Sequence, residues 1–145
     1  MKRSKRLEPV GALADEAERE CATQVAGLQG RLAEAERRCV ELQRYLVEYQ
    51  SMFQRRASAG IGVTGMRDYQ TFIARLGEAV RQQEGVIAQL RADCERARAR
   101  WAEAAARKSA VSKVIANVRS EDRKLEERRS QQESDEHAQR LSGAR

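Results

Sequence analysis

Apolar residues recur three and four positions apart through most of the chain, and this repeat confines it to helices wound around each other with a left-handed twist. In the first stretch the a positions hold Glu18, Val25, Leu32, Cys39, Leu46 and Phe53, and the d positions hold Ala14, Cys21, Leu28, Ala35, Leu42 and Tyr49. Only Glu18 is polar. In the second stretch the a positions hold Met66, Ile73, Val80, Ile87, Cys94, Trp101, Lys108, Ile115 and Asp122. The d positions there hold Tyr69, Leu76, Gln83, Leu90, Ala97, Ala104, Val111, Val118 and Leu125. Only Gln83, Lys108 and Asp122 are polar.

One cluster interrupts the repeat. Gly60, Gly62 and Gly65 fall within Ser58–Gly65, and glycines so closely spaced break a helix. The chain is therefore expected to be all-α, a two-helix antiparallel coiled-coil hairpin with a longer, overhanging second helix. The expectation is a single coiled-coil domain over 1–145, with helix one at about 8–57, an apex loop at 58–65 and helix two at about 66–140. At 1.5 Å per residue these helices would be roughly 75 Å and 110 Å long, ordinary for a coiled coil. Pro9, the sole proline, suits the first turn of helix one.

With the glycines at the turn, facing residues have position numbers that sum to 122. Phe53 then meets Tyr69, Tyr49 meets Ile73, Leu42 meets Val80, Ala35 meets Ile87 and Cys21 meets Trp101. Small residues face large ones, as interdigitating layers require. The polar layers collect near the open end, where Glu18 and Lys108 are placed to pair. No residue of helix one is left to face residues beyond about 119, so 119–145 is expected to fray, because an isolated polar helix is marginal.

Composition narrows the function. A chain with 34% charged and 4% aromatic residues has no material for a sheet-based enzyme. One histidine, His137, lies in a polar tail, and no nucleophile has a base positioned to activate it. No enzyme activity, cofactor or metal is expected. Cys21, Cys39 and Cys94 are odd in number and lack ligand spacing, so they read as small apolar fillers. No apolar run is long enough to cross a membrane, and the basic start lacks the core of a signal peptide, so the chain is expected in the cytoplasm. The net charge is +6, carried mostly by arginine, with both signs interleaved. The basic residues form no unbroken stripe, so a nucleic-acid-binding coiled coil ranks low and acidic protein partners rank above it.

The flanks of the seam differ from each other. The e positions are polar, among them Glu36, Gln43, Glu84 and Arg91. The g positions near the apex instead read Tyr45, Met52, Phe72, Ala79 and Val86. Both g rows lie on one side of an antiparallel seam, so this half carries an apolar strip suited to a partner. The open end gathers Lys2, Arg3, Lys5, Arg6, Arg107, Lys108, Lys113 and Arg119, a basic base suited to an acidic protein cavity.

Tyr45, Tyr49, the loop through Gly60, Gly62 and Gly65, Tyr69-Gln70-Thr71-Phe72 and the late segment Asp135–Arg140 together resemble the FliJ family, soluble components of the flagellar type III export apparatus. The resemblance implies a stalk similar to the antiparallel coiled coil of rotary ATPase gamma subunits. It implies that the end carrying both termini enters the hexameric export ATPase, FliI-like, and promotes its ring assembly. It implies that the cytoplasmic domain of the export gate, FlhA-like, is bound through Leu42, Tyr45, Tyr49, Phe72, Leu76 and Ala79, with Met52 and Val86 extending the apolar strip. Arg38 and Gln83 stand where some members carry Gln and His. Export chaperones are further implied partners without assigned residues. The location implied is cytoplasmic, peripheral to the inner membrane through the apparatus. A stalk of an injectisome secretion system would have the same fold and chemistry.

Overall fold

A computed structural model describes residues 2–144, so Met1 and Arg145, the two ends of the expected 1–145 domain, lie outside the described residues. Two helices, α1 (Arg3–Ala59) and α2 (Val63–Gly143), pack against each other as a hairpin with the second helix longer. Among the described residues there is no strand. The all-α fold is the one the repeat predicts. Every a and d residue named for α1 is buried or half-buried. In α2 only Met66, Trp101 and Leu125 among these positions are exposed.

The turn is tighter than the expected loop at 58–65. Gly60 has φ of 86°, a left-handed conformation that favours glycine, and its N–H donates to the Ala57 carbonyl at 3.3 Å. The Gly62 carbonyl accepts the Met66 N–H at 3.0 Å and so opens α2. Gly65, placed in the loop by its composition, lies in the first turn of α2 instead. One glycine there costs only about 1 kcal/mol, which packing of the following apolar face offsets.

The packing divides the chain into two compact units. The Thr23–Ala99 unit holds a core of Ala35, Cys39, Val80 and Ile87, against which Leu32, Leu42, Leu46 and Leu90 pack. The ring centroids of Phe53 and Tyr69, predicted to face each other, are 6.0 Å apart. Gln83, the polar residue at a d position, turns inward, and its Nε2 donates to the Ala35 carbonyl at 3.1 Å. That bond removes the cost of burying an unpaired amide.

The other unit joins the chain up to Ala22 with the chain from Arg100 onward. Here the boundaries near the start differ from expectation. α1 begins at Arg3 rather than about 8, and Pro9 lies inside it rather than in its first turn. The reason is a cap supplied by the other helix. The first turn of α1 has no acidic residue of its own. Its exposed N–H groups and its cations both attract negative charge. α2 provides that charge. The Asp122 carboxylate accepts the Ser4 N–H at 3.2 Å, Glu121 meets Arg3 at 3.3 Å, and Glu126 pairs with Lys2. Partnering therefore reaches Glu126, past the limit near 119 set by the expected start of α1. α2 then continues as exposed helix to Gly143, where fraying from 119 was expected.

Two measurements check these points. Gly60→Ala forces a Cβ into a left-handed backbone and is expected to lower stability by about 1–2 kcal/mol in thermal unfolding. Gly62→Ala has no such backbone and open space around the added methyl, so it is expected to stay within about 0.5 kcal/mol. Equal effects would remove the turn argument. The second concerns Asp122, whose carboxyl is held below its ordinary range by the hydrogen bonds from Ser4, against a smaller opposing effect of burial, with Lys2 and Arg3 adding to the lowering. Its folded value lies below its unfolded one, so the cap is at full strength above about pH 4 and is lost as the pH falls through the folded value. The Ser4 amide resonance is expected to titrate with a midpoint below the ordinary aspartate value and to lose this titration in Asp122→Ala. A midpoint at or above the ordinary aspartate value would contradict the cap.

Candidate functional site

The Thr23–Ala99 unit brings the expected apolar strip together on one flank of its seam. The heptad places Leu42, Tyr49 and Leu76 at seam positions, and all three are half-buried. Leu42 packs on the core cluster. Tyr45 and Phe72 occupy g positions, which the facing helix covers only in part, so they are 51% and 41% exposed. Ala79 and Met52 are half-buried, and Val86 is exposed. Tyr49, expected to face Ile73, lays its ring against Phe72, with centroids 4.5 Å apart and planes tilted by 51°. This contact packs Phe72 against a seam residue while leaving it 41% exposed. The flank therefore offers aromatic and aliphatic surface that costs little ordering to use, a composition typical of protein-binding surfaces.

The polar neighbours of this flank are engaged within the unit. Gln83 is turned to the Ala35 carbonyl, and the Arg38 Nε lies 3.7 Å from a Glu34 carboxylate oxygen. The opposite flank carries a charged pair instead, Arg91 with Glu36 at 3.5 Å. One flank is thus apolar and the other ionic.

The basic base is in the other unit, and its members differ in what they are free to do. Lys2 and Arg3 are held by Glu126 and Glu121, and Arg119 is 3.9 Å from Glu8. Lys108 and Glu18, placed to pair by the heptad, are 3.6 Å apart. The Trp101 Nε1–H donates to the other Glu18 oxygen at 2.9 Å. Glu18 is consequently held below the ordinary carboxylate range, first by Trp101 and then by Lys108, against the opposing effect of burial. Among the described residues, no carboxylate pairs with Lys5, Arg6, Arg107 or Lys113. These four cations, rather than all eight, are available to an outside partner.

Sequence reasoning missed two features. Val40 and Val47 are exposed seven residues apart on α1. Their spacing was visible, but they occupy b positions outside the rows that bracket the seam. The capping role of Asp122 was hidden because its a position suggested a seam residue. Among the described residues no group of side chains suits a metal ion, and no helix is long and apolar enough to cross a membrane. Cys39 and Cys94 are buried in the packing, and Cys21 is half-buried.

No curated protein and no solved structure matches the chain. A family model does, over residues 3–145, and its description is the flagellar FliJ protein. The match runs through both helices and the turn, so the chain belongs to the FliJ family, a component family of the flagellar export apparatus.

Proposed function

We propose that this protein is a non-enzymatic stalk and adaptor of the flagellar type III export apparatus, promoting ring assembly of the export ATPase and linking that ATPase to the export gate. The observation that carries the reading is the exposed Tyr45 and Phe72 pair, standing on a flank otherwise built from half-buried apolar residues. Exposed aromatics backed by packed neighbours are where binding energy concentrates in protein interfaces. The gate's cytoplasmic domain occupies this flank through Leu42, Tyr45, Tyr49, Phe72, Leu76 and Ala79, with Met52 and Val86 at its margin. The ATPase is met by the other unit. There Lys5, Arg6, Arg107 and Lys113 face acidic groups of the ring directly, while Lys2, Arg3, Lys108 and Arg119 first exchange their internal carboxylates. Such exchange is feasible because surface ion pairs contribute only about 0–1 kcal/mol each. Export chaperones are further partners. The family match is to a flagellar model, which favours this setting over an injectisome.

The two surfaces separate experimentally. Tyr45→Ala combined with Phe72→Ala is expected to weaken binding to the gate's cytoplasmic domain at least about thirtyfold, with helicity by circular dichroism unchanged. The same variant should still raise the turnover or ring formation of the export ATPase. Replacing Lys5, Arg6, Arg107 and Lys113 with alanine should do the converse. Undiminished gate affinity in the aromatic variant would sink the gate assignment. An ATPase indifferent to the unaltered protein would sink the stalk.

A further inference from the structure

The bend of the Thr23–Ala99 unit carries a surface that the gate and ATPase contacts do not use. Between Arg56 and Arg67 there is no charged residue, in a chain where 34% of residues are charged. The large apolar side chains in this interval are Ile61, half-buried, Val63, 69% exposed, and Met66, also exposed. Gly60 and Gly62 have open space where a side chain would be, so the turn itself is bare backbone.

Arg55-Arg56 and Arg67 bracket this tip. All three are exposed, and among the described residues none is held by a carboxylate. Elsewhere in the same unit five of nine arginines have a carboxylate partner, and among the described residues Arg31, Arg44, Arg75 and Arg98 do not, so the tip is set apart by joining unpaired arginines to an uncharged apolar interval. Arg37, Arg81 and Arg96 are each paired with an acidic residue one turn earlier, Glu34, Glu78 and Asp93. Asp68 is the lone carboxylate beside the tip, against three arginines. Arg55 and Arg56 also line an open hollow with Met52 and Ala59, so cationic and apolar groups share one surface there.

We propose that this tip docks on an anionic lipid surface, with Val63 and Met66 entering the headgroup region and Arg55, Arg56 and Arg67 pairing with lipid phosphates. Unpaired arginines flanking a small apolar tip are complementary to a negatively charged interface. An acidic protein fits less well. A specific protein interface needs about 1,200 Å² or more and aromatic anchors, and the tip offers three aliphatic side chains on a convex turn. A fluid surface demands no such shape match. With so few apolar groups the attachment is reversible and depends on the anionic fraction of the membrane. The proposed lipid contacts, Arg55, Arg56, Val63, Met66 and Arg67, include no residue assigned to gate or ATPase, and Met52 alone, beside Arg55 and Arg56, is shared with the margin of the gate surface.

The test is co-sedimentation of the full chain with vesicles. Phosphatidylcholine vesicles containing about one third phosphatidylglycerol are expected to bind the protein, pure phosphatidylcholine vesicles are not, and salt should weaken the binding. Arg55→Gln, Arg56→Gln and Arg67→Gln together are expected to weaken it at least about tenfold. Val63→Ser with Met66→Ser should also weaken it although the charge is unchanged. Lys2→Gln, Arg3→Gln, Lys5→Gln and Arg6→Gln together should leave it intact. The proposal fails if the anionic vesicles do not bind, or if the tip variants bind as well as the unaltered chain. It also fails if only the arginine variant is weakened and soluble polyglutamate competes fully, the result an acidic protein partner would give.

Discussion

The apolar seam between the two helices is the interaction that supports the rest of the structure. In proteins most of a helix's stability comes from packing of its apolar face rather than from intrinsic propensity. Here that face is two residues wide. The consequence is visible in the burial, where no large side chain among the described residues is completely enclosed. Ala14, Val25, Cys39, Val80, Cys94 and Val118 are the kind of residue that can be enclosed by just two helices. Larger side chains such as Leu42, Tyr49 and Leu76 leave an edge in solvent, and those edges are the raw material for partner surfaces.

The flanks decide which edges are usable. In the Thr23–Ala99 unit one flank is closed by charge, with Glu36 and Arg91 reaching across the seam. The other carries Tyr45, Phe72 and Val86, each 41–51% exposed. Exposed aromatic surface beside the seam therefore lies on the g flank, while Val40 and Val47 are exposed apart from it at b positions. In the other unit the bridging polar contacts are made by carboxylates, among them Glu8 with Arg119, Glu18 with Lys108 and Trp101, and Asp122 with the Ser4 N–H. The same architecture thus presents unlike chemistry in its two units, and the difference lies in the residues beside the seam rather than in the seam.

What the sequence made legible follows from this. The repeat identifies seam residues because burial has a period, and so the Phe53 and Tyr69 contact, the half-buried Leu42 and Leu76, and the Glu18 and Lys108 pair could all be read in advance. Polar ends have no period. The start of α1 depends on a carboxylate more than a hundred positions away, Asp122, accepting the Ser4 N–H. Nothing local to Ser4 announces it, and Pro9 pointed to a later start. The glycines misled in the opposite direction. Their composition suggested a long loop, yet only Gly60 requires a left-handed backbone, and α2 absorbs Gly65. Propensity is a weak prior where tertiary packing continues on the far side.

Sharing residues between seam and surface also constrains how the flank can be dissected. Tyr49 is half-buried at a seam position and holds its ring against Phe72, so its removal would loosen the hairpin and misplace its neighbour together. Leu42 has the same dual standing through its packing on Ala35, Cys39, Val80 and Ile87. Loss of binding on truncating either residue would not distinguish a lost contact from a lost support. Tyr45 is more than half exposed and lies outside the core cluster, and Phe72, 41% exposed, also lies outside that cluster with its ring against Tyr49. Binding energy in such a surface is best assigned through these two, because they stand at exposed g positions beside the seam whereas Tyr49 is part of it.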